Sequence, residues 1–192
     1  MSLIEVMGMI VIISLGLISI WQIIHNGQKL ATNTENRIKA INIAREGVEI
    51  ATNIRDTNWT KFSSAARRTC WNVDNYDTNC IGNSNLTTRL SGSYIGIMSG
   101  TLWYLVNSSN TGVYLDANGL AYQSTGSLSL PSCTSQVLTG CTTRFYRSIL
   151  VSPDGDPTTT SGMLITSTVQ WQDGQTHSIS LETMLMNWRV NF

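Results

Sequence analysis

Nineteen consecutive residues, Val6 to Ile24, carry no formal charge, and fourteen of them are large and apolar. As a helix this run spans roughly 28 Å at about 1.5 Å per residue, the thickness of a bilayer core. Glu5 stands at its lip, and no lysine or arginine occurs before Lys29. An ionised carboxylate costs on the order of 3 kcal/mol in lipid, so Glu5 needs a cation. The nearest is the amino group of Met1. A pair within one chain is one solution. The other is an identical helix displaced along its axis by one turn, roughly 5 Å, so that the amine of one subunit meets Glu5 of the next. Repetition of that contact builds a filament.

A secretory leader would carry a basic n-region, a shorter apolar core and a small-residue cleavage site, and none of these is present. A plain single-pass anchor fits the length. It gives no reason for Glu5 and has no basic flank at the cytoplasmic end.

Ser2, Leu3, Ile4, Glu5 and Val6, running straight into the apolar stretch, resemble the mature N-terminus of type IV pilins and of the related pseudopilins of type II secretion. Ala44–Glu49 and Asn53–Trp59 are similar to the helix end of minor-pilin-like sequences. Met1 stands where phenylalanine is usual, Ser2 where threonine is common, and Gln22 where many members have proline. The resemblance covers about residues 1–60 and, loosely, the C-terminal strands. It implies an α+β pilin fold, a long N-terminal helix packed on a C-terminal antiparallel sheet. It further implies N-methylation of Met1 after cleavage by a prepilin peptidase. The opening at Met1 without a basic leader reads as the processed form. Homopolymerisation by an assembly ATPase and platform protein would follow, with Met1 and Glu5 setting register. Val6, Met9, Ile10, Ile13, Leu17 and Ile20 are read as the helix-packing residues. The implied location is the cytoplasmic membrane before assembly and a cell-surface filament after it. A minor pilin, a secretion pseudopilin and an anchored extracellular binding domain are the alternatives.

The length suits one stalk and one domain, divided as 1–28 (apolar helix), 29–58 (amphipathic continuation) and 59–192 (β-rich head). The formal net charge of zero gives no whole-molecule attraction to nucleic acid. Cys70 with Cys80 and Cys133 with Cys141 form two close couples, read as disulfides of an oxidising exterior, with metal binding the lesser alternative. No cofactor, metal site or catalytic constellation is read from the sequence, and the chain is not expected to be an enzyme.

Beyond Gly27 two apolar stripes are expected. Ile41, Ala44, Val48 and Ala51 form one, and Ile43, Gly47, Ile50 and Ile54 the other. Glu35, Lys39, Arg45, Glu46 and Glu49 are read as solvated faces. The resemblance implies loss of helicity in the apolar half on assembly, and partial extension around Gly16, between Ser14 and Ser19, is the expectation for the filament. Asp56, Thr57 and Asn58 are expected to end it, and Ser63–Ser99 reads as loop, with Asp74 and Asp77 in a solvated acidic stretch. Strand signals begin at Thr101. Alternation predicts strands around Leu102–Val106, Val113–Leu115 and Leu120–Tyr122, with an Asn118–Gly119 turn, and a further strand over Phe145–Val151. A final hairpin has Ile165, Val169, Trp171, Ile179 and Leu181 on one face, a two-residue Asp173–Gly174 turn, and its inward row on Val48 and Ala51. His177 is expected to be half-buried, and Trp188 and Phe192 to dock. Sequons occur at Asn58, Asn85 and Asn107.

Overall fold

The computed structural model describes residues 3–82, 89–108, 111–115, 121–124, 145–157 and 159–187. It divides into two compact units, Met1–Lys39 and Ala40–Phe192. One helix, α1 (Leu3–Lys61), supplies the described part of the first and opens the second. The chain has no proline before Pro131, so nothing in α1 removes a backbone donor or collides with the preceding turn. The helix is unbroken through Ser14–Ser19, where the Ser14 and Ser19 hydroxyls donate to the Ile10 and Leu15 carbonyls at 2.7 and 2.9 Å. In the single chain the helix is continuous past Gly16; the expected extension concerns the assembled filament. At the other end α1 continues past Asp56–Asn58 to Lys61. These turn formers stay helical because Asn58 spends its side chain on tertiary bonds and the Thr60 hydroxyl donates to the Asp56 carbonyl at 2.9 Å.

In the C-terminal unit a seven-stranded, wholly antiparallel sheet packs on residues 40–61, giving the expected α+β layout. Its strands are β1 (Gly92–Ser99), β2 (Leu102–Val106), β3 (Gly112–Leu115), β4 (Ala121–Tyr122), β5 (Phe145–Pro153), β6 (Gly162–Gln172) and β7 (Thr176–Met186). β6 pairs with β5 along Phe145–Pro153 and with β7 over Gly162–Gln172. The opposite edge of β5 is shared. β1 pairs at Ile149–Val151 and β3 at Phe145–Tyr146, so the sheet forks between them.

β1 corrects the reading of Ser63–Ser99 as loop, as does a short helix, α2 (Ser64–Cys70). Gly96, inside the stretch expected to be loop, sits in β1 beneath the helix, where an added Cβ would lie 2.6 Å from Ile50 Cδ1. A larger residue there would require the Ile50 side chain to move aside. The last hairpin is as expected in its alternation, with Ile165, Val169 and Trp171 buried and Ile179 and Leu181 packed on the same face. Its turn has three residues, Asp173–Gln175, with Gly174 at φ +73°. The Asn118–Gly119 turn, Trp188, Phe192, Asn85, Cys133 and Cys141 lie outside the described residues.

The row of α1 that meets the sheet merges parts of both expected stripes. Ala40, Ile43, Ala44, Gly47, Ile50, Ala51 and Ile54 are buried, whereas Val48 is half-buried and Ile41 exposed. Ala40, Ile43 and Ala44 pack with Val113, Phe145, Val169 and Trp171. Ile50, Ala51 and Ile54 pack with Ile149, Val151, Met163 and Ile165. The inward row of the hairpin therefore lies along both of these groups and not on Val48. With roughly 1.5 to 3 kcal/mol for each large side chain removed from water, this face dominates the stability of the unit.

The Cys70–Cys80 disulfide closes a loop at the end of α1, worth about 2 to 3 kcal/mol through restriction of the unfolded chain. Phe62, Ala66 and Val73 pack around it. Asn58, wholly buried, pins the loop to the helix. Its amide donates to the Trp71 and Val73 carbonyls at 3.2 and 2.9 Å, and its Oδ1 accepts from the Tyr76 amide at 2.7 Å. That last bond holds Tyr76 at φ +50°, an uncommon conformation for a bulky residue. A sequon asparagine with no exposed surface is closed to glycan attachment, which removes Asn58 from the modification candidates. Asn107 is exposed.

Candidate functional site

From Leu3 to Ile24 every residue of α1 is exposed. The expected packing residues Val6, Met9, Ile10, Ile13, Leu17 and Ile20 recur at helical spacing, and all are 43 to 62 % accessible. The remaining apolar residues, among them Ile4, Ile12, Trp21 and Ile23, extend the surface round the whole circumference. An all-round apolar helix is the signature of a segment covered by lipid or by other helices. At about 1.5 to 3 kcal/mol per large side chain, leaving fourteen in water costs more than the 5 to 15 kcal/mol that holds a typical domain together. The segment is long and apolar enough to cross a membrane, and none of it is buried within the chain. Around Gly8 and Gly16 an added Cβ would meet nothing within 4 Å.

Glu5 lies in the first turn, where the helix dipole favours a negative charge. It is exposed and has no ion pair among the described residues. Met1 lies outside the described residues.

The charges further along α1 divide. Glu35 with Lys39 at 2.6 Å and Arg45 with Glu49 at 3.7 Å are exposed i,i+4 pairs, the solvated faces expected of them. The Lys39 ammonium, by hydrogen bond and charge, holds the Glu35 carboxyl below its ordinary value. Glu46 departs from that reading. It turns toward β5 and meets Arg147 Nη1 at 3.4 Å, and its side chain is only 28 % exposed. Burial pushes its carboxyl upward, outweighing the opposing pull of Arg147.

Arg147 has no exposed surface. Its Nη1 donates to the Ile43 carbonyl of α1 at 3.1 Å, and its Nε donates to Gln123 Oε1 at 2.8 Å. Gln123 in turn fills the fork of the sheet like a displaced peptide group. Its amide nitrogen donates to the Thr111 and Arg147 carbonyls at 3.0 and 2.9 Å, and its oxygen accepts from the Gly96 amide at 3.4 Å. Burial lowers the Arg147 guanidinium below its ordinary value, yet from a starting point so high that the cation persists. This node sets the position of residues 43–47 on the sheet. Gly47 belongs to it, because a Cβ there would collide with Ser167 Oγ and come within 3.2 Å of Arg147 Cδ.

Compared with known proteins, the chain matches no family model, no curated protein and no solved structure.

The long apolar helix, the antiparallel sheet and the Cys70–Cys80 disulfide are the features shared with the layout expected from the N-terminal resemblance. His177 is half-buried and stacks on Trp171 with ring centres 5.3 Å apart, a strand residue as expected. The Arg147 node was not anticipated, although its signal is present. Phe145, Arg147, Ile149 and Val151 alternate inward, and a lone arginine on an apolar face demands a partner.

Proposed function

We propose that this chain is a structural subunit of a type IV pilus, polymerising through its N-terminal helices. The observation that carries the reading is Glu5, a carboxylate without an ion pair among the described residues, in the first turn of a helix whose large side chains are all uncovered from Leu3 to Ile24. Before assembly the segment resides in the cytoplasmic membrane. The assembly ATPase and platform protein, partners that the sequence resemblance implies, extract it and stack it on earlier copies. Pairing of Glu5 with the Met1 amine of the neighbouring subunit neutralises the charge and sets axial register. Dispersion contacts among the apolar helices then supply most of the cohesion.

Glu5→Ala tests the register role in the native host. Surface filaments sheared from the variant are expected to fall at least tenfold, while the membrane pool keeps the wild-type near-ultraviolet circular dichroism of its buried tryptophans. Wild-type filament yield from the variant would refute the role of Glu5.

A further inference from the structure

Two of the end strands of the sheet, β2 and β7, differ in their surroundings. β7 pairs with β6 alone among the described residues. β2 pairs with β1 on one side, and on the other it meets the disulfide loop. Gly96 and Leu105 are opposite one another in that pair, and the Gly96 amide points away from β2 toward Gln123. Gly96 and Leu105 are therefore a non-hydrogen-bonded pair, which turns the Leu105 N–H and the Trp103 carbonyl to the outer edge of β2. Both positions are filled by side chains. Asp74 Oδ1 accepts from the Leu105 amide at 2.9 Å, and Asn75 Nδ2 donates to the Trp103 carbonyl at 2.7 Å.

We infer that the disulfide loop is an edge stop, in which the side chains of Asp74 and Asn75 take two of the outward backbone groups of β2, the Leu105 N–H and the Trp103 carbonyl, and block addition of a strand from a second copy. One acceptor and one donor, two residues apart on β2, are what an incoming strand would offer at that register. The loop is held for the purpose at three points, by Cys70–Cys80, by Asn58, and by the aromatic contact of Phe62 with Tyr76 at 4.8 Å. Capping β2 closes one of the surfaces through which head-to-tail growth could run. Stacking of β7 of one copy on β2 of the next is a heterologous contact, which propagates without limit unless one of its two surfaces is closed. The stop stands apart from the pilus reading, because it concerns strand pairing in the C-terminal unit and not the N-terminal helix.

The test uses the full chain in detergent micelles, with the disulfide intact. In Asp74→Ala/Asn75→Ala the Leu105 amide is expected to exchange with deuterium at least tenfold faster. Sedimentation should then show oligomers that lengthen with concentration, while the wild type and Asp74→Asn, which keeps an acceptor for Leu105, show neither change. Unchanged protection of Leu105, or faster exchange with no gain in association, would overturn the inference. Should the double variant lose its near-ultraviolet signal, Asp74→Ala and Asn75→Ala are measured singly. Each is then expected to associate more than the wild type, and wild-type sedimentation of both overturns the inference equally.

Discussion

Residues 3–24 and residues 40–61 belong to one helix, yet they are surfaces of opposite kinds. In the first, large apolar side chains surround the axis and none is covered. In the second most of them form a row from Ala40 to Ile54, and that row is buried against the sheet. Helical structure is common to both, so it explains neither. What separates them is periodicity. A one-sided row can be satisfied by one sheet of the same chain, whereas an all-round surface needs several neighbours and is left exposed among the described residues. The glycines report the same contrast. Around Gly16 an added methyl group meets open space, and at Gly47 it meets Ser167 and Arg147.

The strongest way to probe the covered region is to remove Arg147. Arg147→Ala deletes the partner of Glu46, the bond to the Ile43 carbonyl and one bond of Gln123, and leaves a cavity. A loss of about 3 to 5 kcal/mol is expected in urea titrations followed by tryptophan fluorescence in detergent. A loss below about 1 kcal/mol would show that the node contributes little to docking of the helix. Next in size is the glycine comparison, which predicts opposite signs along one helix. Gly47→Ala is expected to destabilise by about 1 to 3 kcal/mol through overpacking. Gly16→Ala is expected to raise the helicity of the detergent-solubilised chain, by up to about 1 kcal/mol of propensity, and to leave the denaturation midpoint of the C-terminal unit unchanged. Equal effects at the two sites would erase the distinction.

The smallest effect concerns pH. Burial raises the Glu46 carboxyl above its ordinary value of 4.5, so the folded chain binds that proton more tightly than the unfolded one. Its contribution to stability is full below pH 4.5 and is lost as pH rises through the folded value. Glu35 runs the other way. Lys39 lowers its carboxyl, so its contribution is present above the ordinary value of 4.5 and is lost as pH falls through the folded value. Glu46→Gln keeps an acceptor for Arg147 and is expected to flatten the decline of stability from pH 4.5 upward. A profile superimposable on the wild type would mean that Glu46 does not titrate in the way its burial implies.

Much of the fold is legible in the chain. The run from Val6 to Ile24 has one conformation compatible with its composition, and the absence of proline lets the helix continue. Alternation in β6 and β7 is strong because one face of each strand is apolar and the other is rich in Ser and Thr. β1 was illegible because its glycines signal turns in any local reading, and the reason for Gly96 is Ile50, 46 residues earlier. Glu46 was illegible for a similar reason. Its neighbours Arg45 and Glu49 form an exposed pair, and only the position of Arg147 distinguishes it from them.

The sequence by itself determined a long apolar helix with a carboxylate in its first turn, an alternating C-terminal hairpin and a close cysteine couple, since each of these is written in neighbouring residues. Tertiary structure alone decided that Asn58 is a buried clamp and not an accessible sequon, that Glu46 faces inward, and that Asp74 and Asn75 close the edge of β2. Those roles depend on which distant backbone group each side chain reaches, and a hydrogen bond extends only about 3 Å, so no local pattern carries the information.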